Sequence, residues 1–206
     1  MATFVEVHPD NPQPRTVGQV VERLRQGALV AFPTDSGYAL GGRLDDQAIK
    51  DRIRDIRRLD ERHHYTLLCA DFAQLGQLVH VDNSVFRAVK AVTPGPYTFI
   101  LPATKEVPRR LLHAKKKTVG VRIPQHPLTH ALLAGLGDPM LTSTLLLPGE
   151  ERTLTFGWDV KEALDHQVDI VIDAGEVSTE PTTVVDLSGD GAEIARYGAG
   201  DPSPFE

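Results

Sequence analysis

The segment Phe32-Pro33-Thr34-Asp35-Ser36-Gly37-Tyr38-Ala39-Leu40-Gly41-Gly42 constrains this chain more than any other. The apolar run before it, Ala28-Leu29-Val30-Ala31-Phe32, reads as a buried strand. Pro33 has no amide proton to give a sheet ladder, so the strand is expected to stop there. Hydroxyls, a carboxylate and small residues follow at once, which puts Thr34, Ser36 and Tyr38 where a strand opens into a loop. Gly37, Gly41 and Gly42 let backbone come close to a ligand, and sites in α/β sheets form beyond the ends of strands. An ordinary strand-to-helix turn has the same spacing, so spacing alone leaves both readings standing.

The rest of the chain alternates. Residues 16–26 read as a helix with Val17, Val20, Val21 and Leu24 on one face, closed by Gly27. Asp45 or Asp46 caps a helix carrying Ile49, Ile53 and Ile56, and Asp71 and Asp82 cap the next two. Strands are expected at 66–70, 97–101, 118–123, 140–147, 168–173, 182–187 and 193–197. Helices are expected at 108–114, 126–136 and 158–166. Ser188-Gly189-Asp190-Gly191 reads as a hairpin turn, hence an antiparallel part. Strands interleaved with helices in this way specify an α/β domain with a mixed sheet. It is read as one domain across 1–206, with its core at about 14–200.

No apolar run approaches the roughly 20 residues of a membrane helix. The single cysteine, Cys69, makes no internal disulfide and follows Leu67-Leu68 as a buried strand residue. With no basic-then-apolar leader at the N-terminus, a cytoplasmic location is expected. Net charge is −6, unevenly spread. Residues 105–122 hold Lys105, Arg109, Arg110, Lys115, Lys116, Lys117 and Arg122 against one acid, Glu106. Of 22 basic and 28 acidic residues, the remainder of the chain then keeps 15 and 27. An acidic protein with one basic patch repels polyanions generally but accepts one locally, although such a cluster is equally a solvated face. The adjacent His63-His64 point in different directions on either a strand or a helix, and no ligand-spaced partners accompany them, so no metal site is assigned. The lone Trp158 reads as a packing residue.

The first segment resembles the YrdC-like family, most closely its YciO branch. The commoner family form is Pro-Thr-Asp/Glu-Thr-Val-Tyr-Gly-Leu-Gly, and here Ser36, Gly37 and Ala39 replace the Thr, Val and first Gly. The resemblance continues through Thr93-Pro94-Gly95-Pro96-Tyr97-Thr98-Phe99-Ile100-Leu101 and Val119-Gly120-Val121-Arg122-Ile123-Pro124. It ends in Pro181-Thr182-Thr183-Val184-Val185-Asp186 and Arg196-Tyr197-Gly198. The ordered series is specific where one block is not. It implies a twisted mixed sheet with a concave, positively lined face. It also implies enzymes that combine threonine, bicarbonate and ATP into threonylcarbamoyl-adenylate and pyrophosphate, on the way to a modified adenosine in tRNA. ATP and Mg²⁺ would then be substrate and ion, with no tightly bound cofactor, and double-stranded RNA or tRNA a further partner. Such chemistry needs cations around a triphosphate and donors for a carbamate, with positioning doing most of the work.

On that resemblance, Thr34 and Tyr38 match the first motif and Arg122 the Val-Gly-Val-Arg-Ile-Pro motif. An arginine in an apolar strand needs an anionic partner, either a substrate carboxylate, which is favoured, or a structural Asp. Thr182 and Thr183 match a Ser-Thr pair suited to carboxylate or phosphate. Arg196 matches an arginine that could reach phosphates. Two motifs depart. For the family's Lys-x-Arg, the chain has Ile56-Arg57-Arg58-Leu59-Asp60-Glu61-Arg62-His63-His64-Tyr65-Thr66, which leaves Arg57 and Arg58 near the place. In the Thr-Ser-Ala-Asn motif, Thr142 and Ser143 remain but Leu145 replaces the Asn. Both departures suit a shifted substrate or role. The alternative is an RNA-binding protein using Arg109, Arg110, Lys115, Lys116 and Lys117, with the helix of Lys50, Arg52, Arg54, Arg57 and Arg58 less suited because Asp51, Asp55, Asp60 and Glu61 interleave.

Overall fold

In the computed structural model, residues 1–60 and 63–206 are described, so Glu61 and Arg62 lie outside the described residues. The elements follow in the order β1 (Thr3–Glu6), α1 (Pro14–Arg25), β2 (Val30–Thr34), β3 (Gly37–Arg43), α2 (Gln47–Arg57), β4 (Thr66–Leu68), α3 (Phe72–Leu78) and α4 (Asn83–Val92). They continue with β5 (Tyr97–Pro102), β6 (Thr118–Arg122), α5 (Pro127–Leu136), β7 (Met140–Thr144), α6 (Gly157–Leu164), β8 (Ile170–Asp173), β9 (Thr183–Asp186) and β10 (Glu193–Arg196). The Asp side chains at 46, 71 and 82 cap α2, α3 and α4 by accepting from Ala48, Gln74, and Ser84 with Val85. They satisfy amides that have no partner inside a helix.

Pro33 does not end its strand. It pairs with Tyr38, and β2 turns through Asp35-Ser36 directly into β3 as an antiparallel hairpin, where an open loop was expected. The Pro33 carbonyl points out to the Thr129 hydroxyl, 3.2 Å away. Its nitrogen shares that side, so no β2–β3 ladder bond is lost, and pairing with β8 on the other side has already stopped at Ala31. The strands β1 and β3 escaped the sequence reading because β1 is short and β3 is interrupted by glycines. Gly41 and Gly42 serve packing and not ligand approach. A Cβ on Gly41 would lie 2.7 Å from the Phe32 ring, and one on Gly42 2.9 Å from Ile49. The helix expected at 108–114 is a single 3₁₀ turn, Arg109–Leu111. Trp158 stacks on Phe4 with centroids 4.1 Å apart but stays 62% exposed.

Among the described residues the strands form one mixed sheet in the order β1-β8-β2-β3-β7-β4-β6-β5-β9-β10. The β1–β8, β2–β8, β4–β6 and β5–β9 pairs are parallel, and the others antiparallel, including the expected β9–β10 hairpin. One face packs on α2, α3, α4 and α6 through residues such as Ile49, Ile53, Leu75, Val89 and Val160. On the other face α1 and α5 pack together over β2 and β3, with Val20, Leu24, Leu132 and Leu133 against Val30 and Phe32. Among the described residues this cluster reaches Met140 of β7 and Leu68 of β4 and takes in nothing from the farther strands β5, β6, β9 and β10.

The alternation of those farther strands shows what lies there. Along β5, Tyr97, Phe99 and Leu101 enter the larger core while Thr98 and Ile100 face a cavity. Along β6, Val119 and Val121 enter the core while Gly120 and Arg122 face the cavity. Side chains of a strand alternate between faces, so half of one sheet face is left polar and concave. No helix among the described residues is long and apolar enough to cross a membrane.

Candidate functional site: an arginine-lined cavity on the sheet

The cavity measures about 390 Å³. Thr66, Thr98, Gly120 and Thr142 lie along its strand floor, and Arg57, Arg122, Arg152 and Arg196 line it. Glu151 is the carboxylate among its described lining residues.

Most of the residues chosen from sequence meet here, with different tasks. Thr34 lines the cavity and ties the hairpin turn, donating to the Gly37 carbonyl (2.7 Å) and accepting from the Ser36 amide (3.1 Å). Tyr38 reaches the wall, but its ring is fully buried in the larger core and its hydroxyl donates to the Ile172 carbonyl, 3.1 Å away. Packing is therefore its role.

Arg122 is buried, and its anionic partner is the structural Asp35, not a substrate group standing alone. Nη2 donates to Asp35 Oδ1, and Nη1 donates to Ser36 Oγ at 2.8 Å. Asp35 also accepts from the Gln125 amide at 3.0 Å. The hairpin turn thus supplies the counter-charge that a buried guanidinium requires. The Arg122 Nε is buried without a partner among the described residues.

Arg57 comes off the last turn of α2 into the cavity. Nη1 donates to Ser143 Oγ (2.5 Å) and Nε to the Leu146 carbonyl (3.2 Å). Ser143 Oγ also lies 3.4 Å from His63 Nε2. Since Arg57 only donates, the single Ser143 proton is free to point at His63. Arg58, by contrast, is exposed and outside the cavity, because it ends α2 in the left-handed conformation with φ 52°.

Thr182 and Thr183 part company. Thr182 faces the cavity, bonded to the Thr98 hydroxyl (2.9 Å) and receiving Arg196 Nη2 on its own hydroxyl (2.9 Å). Thr183 points the other way. It donates to the Gly200 carbonyl (2.6 Å) and accepts from the Gly198 amide (3.1 Å), fastening the C-terminal segment. Strand alternation forbids both from facing one ligand. Arg196 lines the cavity, held by the Thr182 carbonyl through Nε (3.0 Å) and Nη2 (2.8 Å). Leu145, in the place of the family's Asn, is buried in the larger core.

The electrostatics favour an anion. Burial lowers the pKa of Arg57, Arg122 and Arg196 from the ordinary arginine value, and Arg196 adds to the lowering at Arg122 while Asp35 opposes it. His63 is pushed down to about 4 by burial, then by Arg57 and His64. Cations that lose hydration in a shared cavity gain most from an incoming negative charge.

The basic patch is smaller than its sequence. Arg109, Lys115, Lys116 and Lys117 are exposed, whereas Arg110 folds inward and donates to the Leu44 carbonyl at 3.0 Å. Lys116 pairs with Asp186 at 3.3 Å. On α2, Arg52 pairs with Asp169 and Arg54 with Asp51 and Asp55, so that helix face is neutralised.

Sequence reading missed Asp35 and Ser36 as partners of Arg122, and missed His63, His64, Thr98 and Thr153 as lining residues. The signal for Thr98 was present: a threonine alternating with Tyr97 and Phe99 marks a polar face. For His63 and Thr153 the determinant is where loops fold, which no periodicity reports. Among the described residues, no group of three or more His, Cys, Asp or Glu is placed to hold a metal.

A mixed sheet with one half-face open over a cavity lined by arginines and hydroxyls defines an α/β protein of a recognisable family. The family model described as Telomere recombination, Sua5/YciO/YrdC, matches residues 22–198. The Escherichia coli (strain K12) protein YciO is 48% identical over the full length of both chains, and its crystal structure superposes with a TM-score of 0.97. A Vibrio vulnificus (strain YJ016) protein named Threonylcarbamoyl-AMP synthase is 31% identical, covering 75% of this chain and 83% of that one. P. abyssi Sua5 complexed with L-threonine is 26% identical, with a TM-score of 0.88 over 96% of this chain and 58% of that one. The chain belongs to the Sua5/YciO/YrdC family.

Proposed function

We propose that the cavity binds ATP together with an amino acid of the threonine type, and that the chain makes threonylcarbamoyl-adenylate slowly or from an altered substrate. The carrying observation is that Arg57, Arg122 and Arg196 share one concave sheet face with the hydroxyls of Thr34, Ser143 and Thr182. In the reaction, the amino group of threonine and bicarbonate give a carbamate and water. A carbamate oxygen then attacks the α-phosphorus of ATP, and pyrophosphate leaves. Guanidinium groups suit the growing charge on the phosphates, and a cavity that fixes both substrates supplies the rest. Mg²⁺ belongs to the substrate and rides on the phosphates. Asp35 is taken by Arg122, and Glu151 is the one carboxylate among the described lining residues, which fits an ion that would be held mainly by phosphate and water.

Two features support slow or altered turnover. Arg57 is already bonded to Ser143 and Leu146, so reaching a phosphate costs it those bonds. Leu145 is an apolar core residue where the commoner motif offers an amide side chain.

The test is incubation of the purified protein with ATP, Mg²⁺, bicarbonate and threonine, with the Vibrio vulnificus synthase as positive control. Threonylcarbamoyl-adenylate and pyrophosphate detected by mass spectrometry, and lost in Arg196→Ala, are the expected result. No product from the folded protein overturns the reading.

RNA binding is a second reading, with one observation in its favour. The exposed Lys115, Lys116 and Lys117 sit in the same turn as His113, whose ring stacks on cavity-lining His64 with centroids 4.7 Å apart. A double-stranded RNA or tRNA held by phosphate contacts at this turn would lie at the cavity's rim.

A further inference from the structure

The glycine at position 37, where the commoner first motif carries valine, has a structural counterpart. Gly37 has φ +95°, a conformation that a β-branched residue adopts only under strain. A Cβ built on it would lie 2.6 Å from Thr153 Oγ1, 3.3 Å from Thr153 Cβ and 3.3 Å from the Ser178 carbonyl oxygen. Two loops, one before α6 and one before β9, therefore close onto the hairpin in the space that a side chain at 37 would fill. Gly37 is what allows Thr153 to sit there.

Thr153 lines the cavity, yet its hydroxyl is buried and has no hydrogen-bond partner among the described residues. The neighbouring hydroxyls are committed. Thr34 is bonded to Gly37 and Ser36, and Ser36 receives Arg122. Arg122, which lines the same cavity, likewise carries a buried Nε that no described residue matches. Buried polar groups in folded proteins are matched, and two unmatched ones on residues of one cavity wall point to a molecule that completes them on binding. A guanidinium N–H asks for an anionic oxygen. A hydroxyl asks for a group that gives or takes one hydrogen bond. An amino acid with a small polar side chain carries both.

We propose that Thr153 is a specificity-determining contact for the amino-acid ligand, in a position that Gly37 opens. The inference rests on the reading that the cavity binds an amino acid of the threonine type. It adds a ligand contact from a loop outside the family motifs quoted above, made possible by a departure within the first of them.

The experiment is titration calorimetry of L-threonine and L-valine against the wild-type protein, Thr153→Val and Thr153→Ser. Thr153→Val keeps the shape and removes the hydroxyl. It is expected to lose about five- to tenfold in L-threonine affinity, while Thr153→Ser stays within about twofold of wild type. A loss confined to L-threonine places the contact at the ligand's side-chain hydroxyl and supports the proposal; an equal loss for L-valine places it at the shared ammonium or carboxylate and overturns Thr153 as a specificity determinant. Gly37→Val, checked for folding by its melting temperature, is expected to reproduce the loss, with Thr153→Val adding nothing further to it. Unchanged L-threonine affinity in Thr153→Val overturns this inference and leaves the functional reading in place. Failure of the wild-type protein to bind L-threonine overturns both.

Discussion

Arg122 and Asp35 are joined across the cavity end of the β2–β3 hairpin, the guanidinium 7% and the carboxylate 14% exposed. The pair explains how a charged residue lives at the buried end of β6, between Val121 and Ile123. It also leaves Arg122 Nε buried and without a partner among the described residues.

Removing one partner strands the other. Asp35→Ala is expected to destabilise the fold by about 3 kcal/mol or more, because an unpaired buried cation is left behind. The double variant Asp35→Ala with Arg122→Met should recover most of that loss. Urea unfolding of the single and double variants measures both. A loss under about 1 kcal/mol in Asp35→Ala would show that Arg122 does not depend on its partner.

Adjacent threonines should separate stability from binding. Thr183→Val removes the bonds to Gly198 and Gly200 and should cost about 1–3 kcal/mol, since it leaves a buried carbonyl unmet. Its ligand affinity should be unchanged. Thr182→Val releases Arg196 from one of its supports and should weaken ATP binding several-fold with a smaller stability loss. Paired unfolding and ATP-titration experiments decide the matter. Equal effects from the two variants would contradict the opposite orientations of these side chains.

The sequence carried the framework of this site further than its wiring. Capped helices were legible because Asp46, Asp71 and Asp82 stand just before apolar stripes, and a cap acts on amides only two or three residues away. Alternation in Tyr97-Thr98-Phe99-Ile100-Leu101 encoded a sheet face with one polar side. Cys69 was legible as an interior residue and is fully buried. The identity of Arg122's partner was not legible, because Asp35 is distant in sequence and the hairpin that delivers it passes through a proline that looked like a strand end. Arg57 and Arg58 were indistinguishable as neighbours in a basic run. Helix termination separates them, turning Arg57 inward and leaving Arg58 in solvent.

His63 should impose a pH dependence on stability. Its folded pKa, about 4, lies below the ordinary histidine value of 6.5, so the unfolded chain binds the proton more readily. The stability that His63 contributes is therefore present above about pH 6.5 and is lost as pH falls toward 4. His63→Gln keeps a hydrogen-bonding side chain near Ser143 and removes the titration. Urea unfolding at intervals from pH 7 to pH 4.5 should show a shallower decline in this variant than in wild type. Parallel declines would mean that His63 is not held neutral by the fold.

Charge reversal at the basic turn tests the RNA reading without disturbing the cavity. Lys115 and Lys117 are exposed and have no ion pair among the described contacts, whereas Lys116 neutralises Asp186, which makes the outer two the cleaner choice. Lys115→Glu with Lys117→Glu should weaken binding of a double-stranded RNA or tRNA and leave ATP binding unchanged. Phosphate contacts release counterions, so each lysine engaged with phosphate should also reduce the slope of log affinity against log salt by about one. The decisive measurement is RNA affinity by fluorescence anisotropy across a salt series. Unchanged affinity and slope at low salt would remove the turn from any account of nucleic-acid binding, and the cavity would then stand as a small-molecule site alone.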